Sequence, residues 1–224
     1  MGLPQSSVST ESRSIAIEGL RKLMTGAMIF IVATLLIAAA LVVAIIVVAP
    51  MAAIPAILAT GFGRGVAGAF MGLAAIPGGV AIVGFVLNLV GLFGFVIPGT
   101  SKLAEWDEKF STSSNLLGIG YGGGAVLMLI AIILFLVATF TYSLGAFFGG
   151  LALVVIGGIM LLVGYIGLIV LSFELNDTFN VTSLMVASIL FIIGIFVGVL
   201  QFIAWILMYV GLGSAIEKLE KGEM

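Results

Sequence analysis

The 224-residue chain is 62% hydrophobic and 8% charged, with a formal net charge of −2 and a mean hydropathy of +1.41. Soluble domains carry about 25% charged residues, so a water-soluble globular protein is excluded, and the lack of a basic block argues against nucleic acid as a partner. With no Cys and no His, disulfides, thiolate or imidazole metal sites, and Cys- or His-based catalysis are excluded as well.

In chain order, residues 1–24 form a polar stem and, from about residue 9, an amphipathic helix running into the membrane. Ser9 or Thr10 supplies an N-cap, Ile17, Leu20 and Met24 recur at helical spacing, and Glu18 stands four before Lys22 in the favourable order for an ion pair. Residues 25–99 form a first transmembrane unit. Span one covers Thr25–Val48 and stops before Pro50, which cannot donate to a helix ladder. Residues 50–79 are apolar, Gly/Pro-rich and carry one charge, Arg64. They read as a loop or interfacial turn, with a re-entrant segment as the alternative. Span two follows to about Val96, with a kink or break expected at Pro77-Gly78-Gly79.

Residues 100–115 are the one long water-compatible segment between the two ends, with Lys102, Glu105, Asp107, Glu108 and Lys109. Each charge costs about 2.5–3.5 kcal/mol at a bilayer centre, so this stretch must lie at the membrane surface. Leu103, Trp106 and Phe110 share one helical face, which predicts an interfacial amphipathic helix between spans two and three. Residues 116–214 form a second transmembrane unit. Its three spans cover about Leu116–Thr141, Leu144–Ser172 and Thr182–Val210, the first two joined as an antiparallel hairpin at Tyr142-Ser143. Residues 215–224 are a charged tail. The expected fold is an all-α polytopic transmembrane helical bundle of about five spans.

Five spans would place the termini on opposite sides. Arg13, Arg21, Lys22, Lys102 and Lys109 would then face Arg64, Lys218 and Lys221 across the bilayer, and the positive-inside rule favours a cytoplasmic N-terminus. The sequons at Asn176 and Asn180 argue the other way.

Thirty-one glycines are about double the usual share. Gly150, Gly157 and Gly164 form one stripe in span four, Gly194 and Gly198 a GxxxG pair in span five, and Ala81, Gly84 and Gly91 a seam in span two. Lipid tails are as apolar as Leu, so helices associate through close packing of such small residues; the contact lies within the chain or between subunits. Asn88 and Gln201 are the strongest uncharged polar groups inside spans, and each serves either as an interhelical hydrogen bond that fixes register or as a substrate or ion contact. No acidic or basic residue sits mid-span, which removes the usual parts of proton relays, ion-coupled pumps and voltage sensors.

Two motifs are set aside. Gly118-Ile-Gly120-Tyr-Gly122-Gly123 matches G-x-G-x-x-G but lacks the preceding strand and the later acidic residue of a dinucleotide site. Its Ile-Gly-Tyr-Gly core lacks the pore helix of a potassium filter. No catalytic, metal or cofactor residue is identified, and no enzyme activity is expected.

Five stretches together resemble a family of archaeal multi-span membrane proteins classed only as a domain of unknown function. They are Ile17–Leu23, Lys102–Phe110, Ile119–Gly123, Gly164–Leu168 and Phe173–Asn180. The resemblance implies residence in an archaeal cell membrane and supplies no catalytic residues. The expected function is a structural or accessory component of a cell membrane, multi-pass, with the lipid bilayer as its surroundings and a second copy or a membrane-complex protein as its partner. The alternative is a transporter or channel for a small neutral or apolar solute.

Overall fold

A computed structural model describes residues 10–48, 77 and 79–222. Among these, the backbone is helical almost throughout and contains no strand. Helix α1 spans Thr10–Val43 and continues as a wider π turn over Ala44–Val48. Helices α2 (Gly79–Trp106), α3 (Glu108–Thr141) and α4 (Leu144–Phe179) follow. A 13-residue helix, α5 (Thr182–Gly194), precedes α6 (Gly198–Lys221). Five of these helices, all except α5, are long and apolar enough to cross a membrane. The chain is therefore a polytopic helical bundle. The expected loop or re-entrant segment at 50–79 falls outside the described residues, apart from 77 and 79.

The described part of the stem, residues 10–24, runs without a break into the first span as about the first four turns of α1, with Ala16, Leu20 and Leu23 fully buried. The central charged segment, expected as one interfacial helix, is instead divided at Asp107. Its first part ends α2, and its second begins α3 through a short 3₁₀ turn at Glu108–Phe110. The Asp107 carboxylate accepts a hydrogen bond from the Lys109 backbone N–H at 2.9 Å, an N-cap for the new helix. Leu103 and Phe110 are fully buried, Leu103 against Gly19 of α1. Trp106 is half-buried and stacks with Phe110 and Phe179, at ring centroid distances of 6.0 and 5.9 Å. The apolar face drawn for a membrane surface therefore packs into the protein.

Helix α2 continues through Pro98, which has no N–H to donate and crowds the preceding turn. The ladder accommodates this by opening into a π turn at Gly91–Val96. A second π turn, Gly118–Gly123 in α3, accounts for the glycine-rich motif there. It is neither a phosphate loop nor an ion filter, but helix backbone pressed against α4. A Cβ added at Gly120 would stand 2.1 Å from the Gly164 backbone nitrogen.

The hydrophobic run 182–210 is not one span. Helix α5 stops at Gly194, and the chain turns over Ile195–Val197 and returns as α6. The pair is antiparallel, with Gly194 against Gln201 near the turn and Gly211 against Leu184 near the other end. Gly194 and Gly198 flank the corner rather than forming a GxxxG seam. A Cβ at Gly194 would lie 2.9 Å from the Gln201 nitrogen, so glycine permits the tight return.

This hairpin changes the topology. Both its ends lie beside the N-terminal stem. Arg21 pairs with Glu220 at 3.0 Å, and the Lys218 ammonium donates to the Phe179 and Asn180 carbonyls at 2.9 and 3.0 Å. Lys218 and Lys221 therefore share an end with Arg13, Arg21, Lys22, Lys102 and Lys109, contrary to the division expected from five full crossings. Exposed ion pairs contribute only about 0–1 kcal/mol each, so the packing behind them holds this end together. Most large, fully buried side chains, such as Leu20, Leu23, Leu103, Phe110, Leu175 and Leu212, lie in the charged half. There α6 packs on α1, and α5 on α4. The other half contains the ends of α1 to α4 and presents mostly exposed apolar side chains, including Phe140 and Leu144.

Candidate functional site

Asn88 of α2 and Gln201 of α6 lie 113 positions apart, and both line one open cleft of about 450 Å³ at the tip of the α5–α6 hairpin. A smaller adjoining recess of about 190 Å³ also contains both side chains, together with Thr34 and Gly198. The remaining wall is largely aromatic, with Phe30, Tyr121, Tyr165 and Trp205. Among the described residues, no Asp, Glu, Lys or Arg lines either space.

Depth follows from helix rise. Thr34 lies twelve residues beyond Lys22, about 18 Å from the charged end at 1.5 Å per residue. Helix α1 continues to Val48, about 21 Å further. Asn88 is likewise fourteen residues from Lys102, again about 21 Å. The cleft is therefore near the middle of an apolar layer about 30 Å thick.

The hairpin is fixed over this cleft by two aromatic contacts and a hydrogen bond. Phe30 stacks on Trp205 with ring centroids 4.4 Å apart and planes 3° from parallel. Trp205 meets Phe191 edge-on at 5.2 Å. The Tyr165 hydroxyl donates to the Phe191 carbonyl at 2.7 Å, which satisfies a carbonyl in the last turn of α5 that has no intrahelical partner. At the corner, the Ile193 carbonyl accepts from both the Phe196 and Val197 N–H groups. Irregular backbone at membrane depth is tolerated only where protein or a polar-filled cavity surrounds it, and here it borders the cleft.

The polar side chains retain unused capacity. One Asn88 amide hydrogen is donated to the Gly84 carbonyl of its own helix at 3.2 Å. The second hydrogen and the carbonyl oxygen have no partner among the described residues, and neither do the Gln201 amide and the Tyr121 hydroxyl. Asn88 and Gln201 therefore do not bond each other. The arrangement can offer several neutral donors and acceptors to a third molecule, against aromatic walls.

The other residues singled out in the sequence have structural positions. Gly150, Gly157 and Gly164 all face α3, against Phe135, the Gly124 carbonyl and Tyr121 respectively. Gly84 and Gly91 meet Ile37 and Ile29 of α1, and Ala81 is half-buried one turn earlier. Leu103, Trp106 and Phe110 are at the charged end, far from the cleft. Thr34, Tyr121, Tyr165 and Trp205 were not anticipated beside Asn88. The signal available was the spacing of Gln201 and Trp205 on one helix face, which could not identify the opposite wall.

No curated protein and no solved structure is matched by the chain. A family model described as "Protein of unknown function (DUF973)" matches residues 16–224, and the chain belongs to that family.

Proposed function

We propose that this membrane protein binds a small uncharged solute in the cleft at the hairpin tip and passes it along or across the membrane. The observation that carries this reading is the convergence of Asn88 and Gln201 on one mid-membrane space without bonding each other. A purely architectural pair would bond across the helix interface, whereas these two half-buried side chains turn amide groups to the cleft. The absence of Asp, Glu, Lys and Arg from the described lining residues favours a neutral solute over an ion or proton. The glycine stripes on α2 and α4 are occupied by α1 and α3 of the same chain. That removes the main motive for assigning them to self-association or a scaffold role.

We also infer that the charged end faces the cytoplasm. Seven of the eight Lys and Arg residues gather there, the pattern the positive-inside rule associates with that side. The sequons at Asn176 and Asn180 then face away from any glycosylation machinery.

The test uses purified protein, Asn88→Leu and Gln201→Leu, with solutes running from glycerol to a decyl-substituted benzoquinone. Flux into proteoliposomes is measured for the water-soluble solutes, and binding for all of them. At least one solute should bind or move in a way that both substitutions weaken about tenfold, while helical content and melting are retained. If no solute distinguishes the wild type from the variants, the cleft is not a solute site.

A further inference from the structure

The cleft has an apolar annexe. A second, more enclosed space of about 200 Å³ lies between α2 and α3 and shares Leu89, Leu92 and Leu161 with the cleft wall. Its described lining is wholly apolar, from Phe85 and Phe93 on α2 to Ala125, Leu129 and Ile132 on α3. The shared leucines join a hydrogen-bonding, aromatic-walled compartment to a narrow greasy one at the same membrane depth. A water-soluble solute would have no use for the second compartment. A molecule with a polar head and an apolar chain would use both.

Resting on the solute-site reading, we infer that the ligand is a neutral membrane-dissolved amphiphile with a planar, carbonyl-bearing head on a single apolar chain. The head occupies the cleft and the chain occupies the α2–α3 slot. Three features specify the head. The free groups include donors, namely the second Asn88 N–H, the Gln201 amide and the Tyr121 hydroxyl, so a head with acceptor oxygens matches them. Phe30, Tyr121, Tyr165 and Trp205 supply aromatic rings, which favour a flat partner. The described lining residues carry no charge, which disfavours phosphate or carboxylate heads, since these would be unpaired in a low-dielectric site. The cleft volume also lies in the range of small-molecule sites, about 300–1,000 Å³. Entry is lateral, because the cleft is open at membrane depth and the exposed neighbouring side chains Phe85 and Phe93 are apolar.

The probes are decyl-substituted benzoquinone and the same ring without its chain. Trp106→Phe leaves Trp205, on the cleft wall, as the sole tryptophan, and quenching of its fluorescence reports occupancy in detergent solution. The decyl probe should bind at least tenfold more tightly than the bare ring. Ala125→Phe, which fills the slot, should reduce that advantage to about twofold while leaving the ring's own affinity intact. Gln201→Leu should weaken both probes. Melting of each variant is followed in parallel, and Ala125→Leu provides a smaller filling change if the phenylalanine variant unfolds. Equal binding of the two probes, or a chain advantage unaffected by filling the slot, overturns the inference. If glycerol flux then still depends on Asn88 and Gln201, the solute-site reading survives without it. If neither probe binds and no flux is found, both fall.

Discussion

Substituting Gly120 by Ala tests the closest approach of a glycine to a neighbouring helix among the described residues. An added Cβ would stand 2.1 Å from the Gly164 nitrogen, 2.4 Å from its Cα and 2.8 Å from the Met160 carbonyl oxygen. All three are backbone atoms, so no rotamer change can relieve the overlap, and α3 and α4 must separate by about 1 Å along their contact. Overpacking costs typically 1–3 kcal/mol, and a backbone clash with no soft neighbour belongs at the upper end, about 3 kcal/mol. Gly122, two residues on in the same π turn, has nothing within 4 Å of its virtual Cβ. There the Gly→Ala change should be neutral or gain up to about 1 kcal/mol of helix propensity. With about 2–4 °C per kcal/mol for a chain of this size, Gly120→Ala should lower the melting temperature by about 6–12 °C, and Gly122→Ala should not lower it. The assay is thermal unfolding in one mild detergent, followed by circular dichroism. If the two variants melt together, or Gly120→Ala melts with the wild type, the α3–α4 seam is not packed as described.

Two further outcomes test the charged end and the topology. Lys218→Met removes two charge-assisted hydrogen bonds to the Phe179 and Asn180 carbonyls, worth about 2 kcal/mol, and should speed proteolysis around Asn180–Val181; unchanged cleavage would show that the ammonium does not hold the α4 end. Because the chain has no native Cys, single cysteines at the exposed positions Thr112, Asn180 and Tyr142 can be labelled cleanly in intact cells. Thr112→Cys and Asn180→Cys should react from the same side as tags on both termini, and Tyr142→Cys from the other. Termini on opposite sides would rule out the α5–α6 return.

Composition alone determined the solvent of this protein. Long uncharged runs with few polar atoms have no stable alternative to apolar helices in lipid, because each backbone group must find a partner within its own segment. The short turn at Tyr142-Ser143 was equally legible, since two residues leave no route except an antiparallel hairpin. Asn88 and Gln201 stood out because a carboxamide inside a span is costly wherever it lies.

Other features depended on neighbours distant in sequence. Leu103, Trp106 and Phe110 make an amphipathic face that suits a membrane surface and a protein interior equally well, and the packing of α1 and α4 decided between them. The run 182–210 has the length and hydropathy of a span, and no proline marks its corner. It folds back because Gly194 admits the Gln201 backbone and because Phe30, Tyr165 and Phe191 hold the return in place. That reversal brings Gln201 into the same cleft as Asn88 and places Lys218 beside Phe179. Hydrophobicity specified that each segment would be buried in the membrane; contacts between helices specified how deep it would go and what it would meet there.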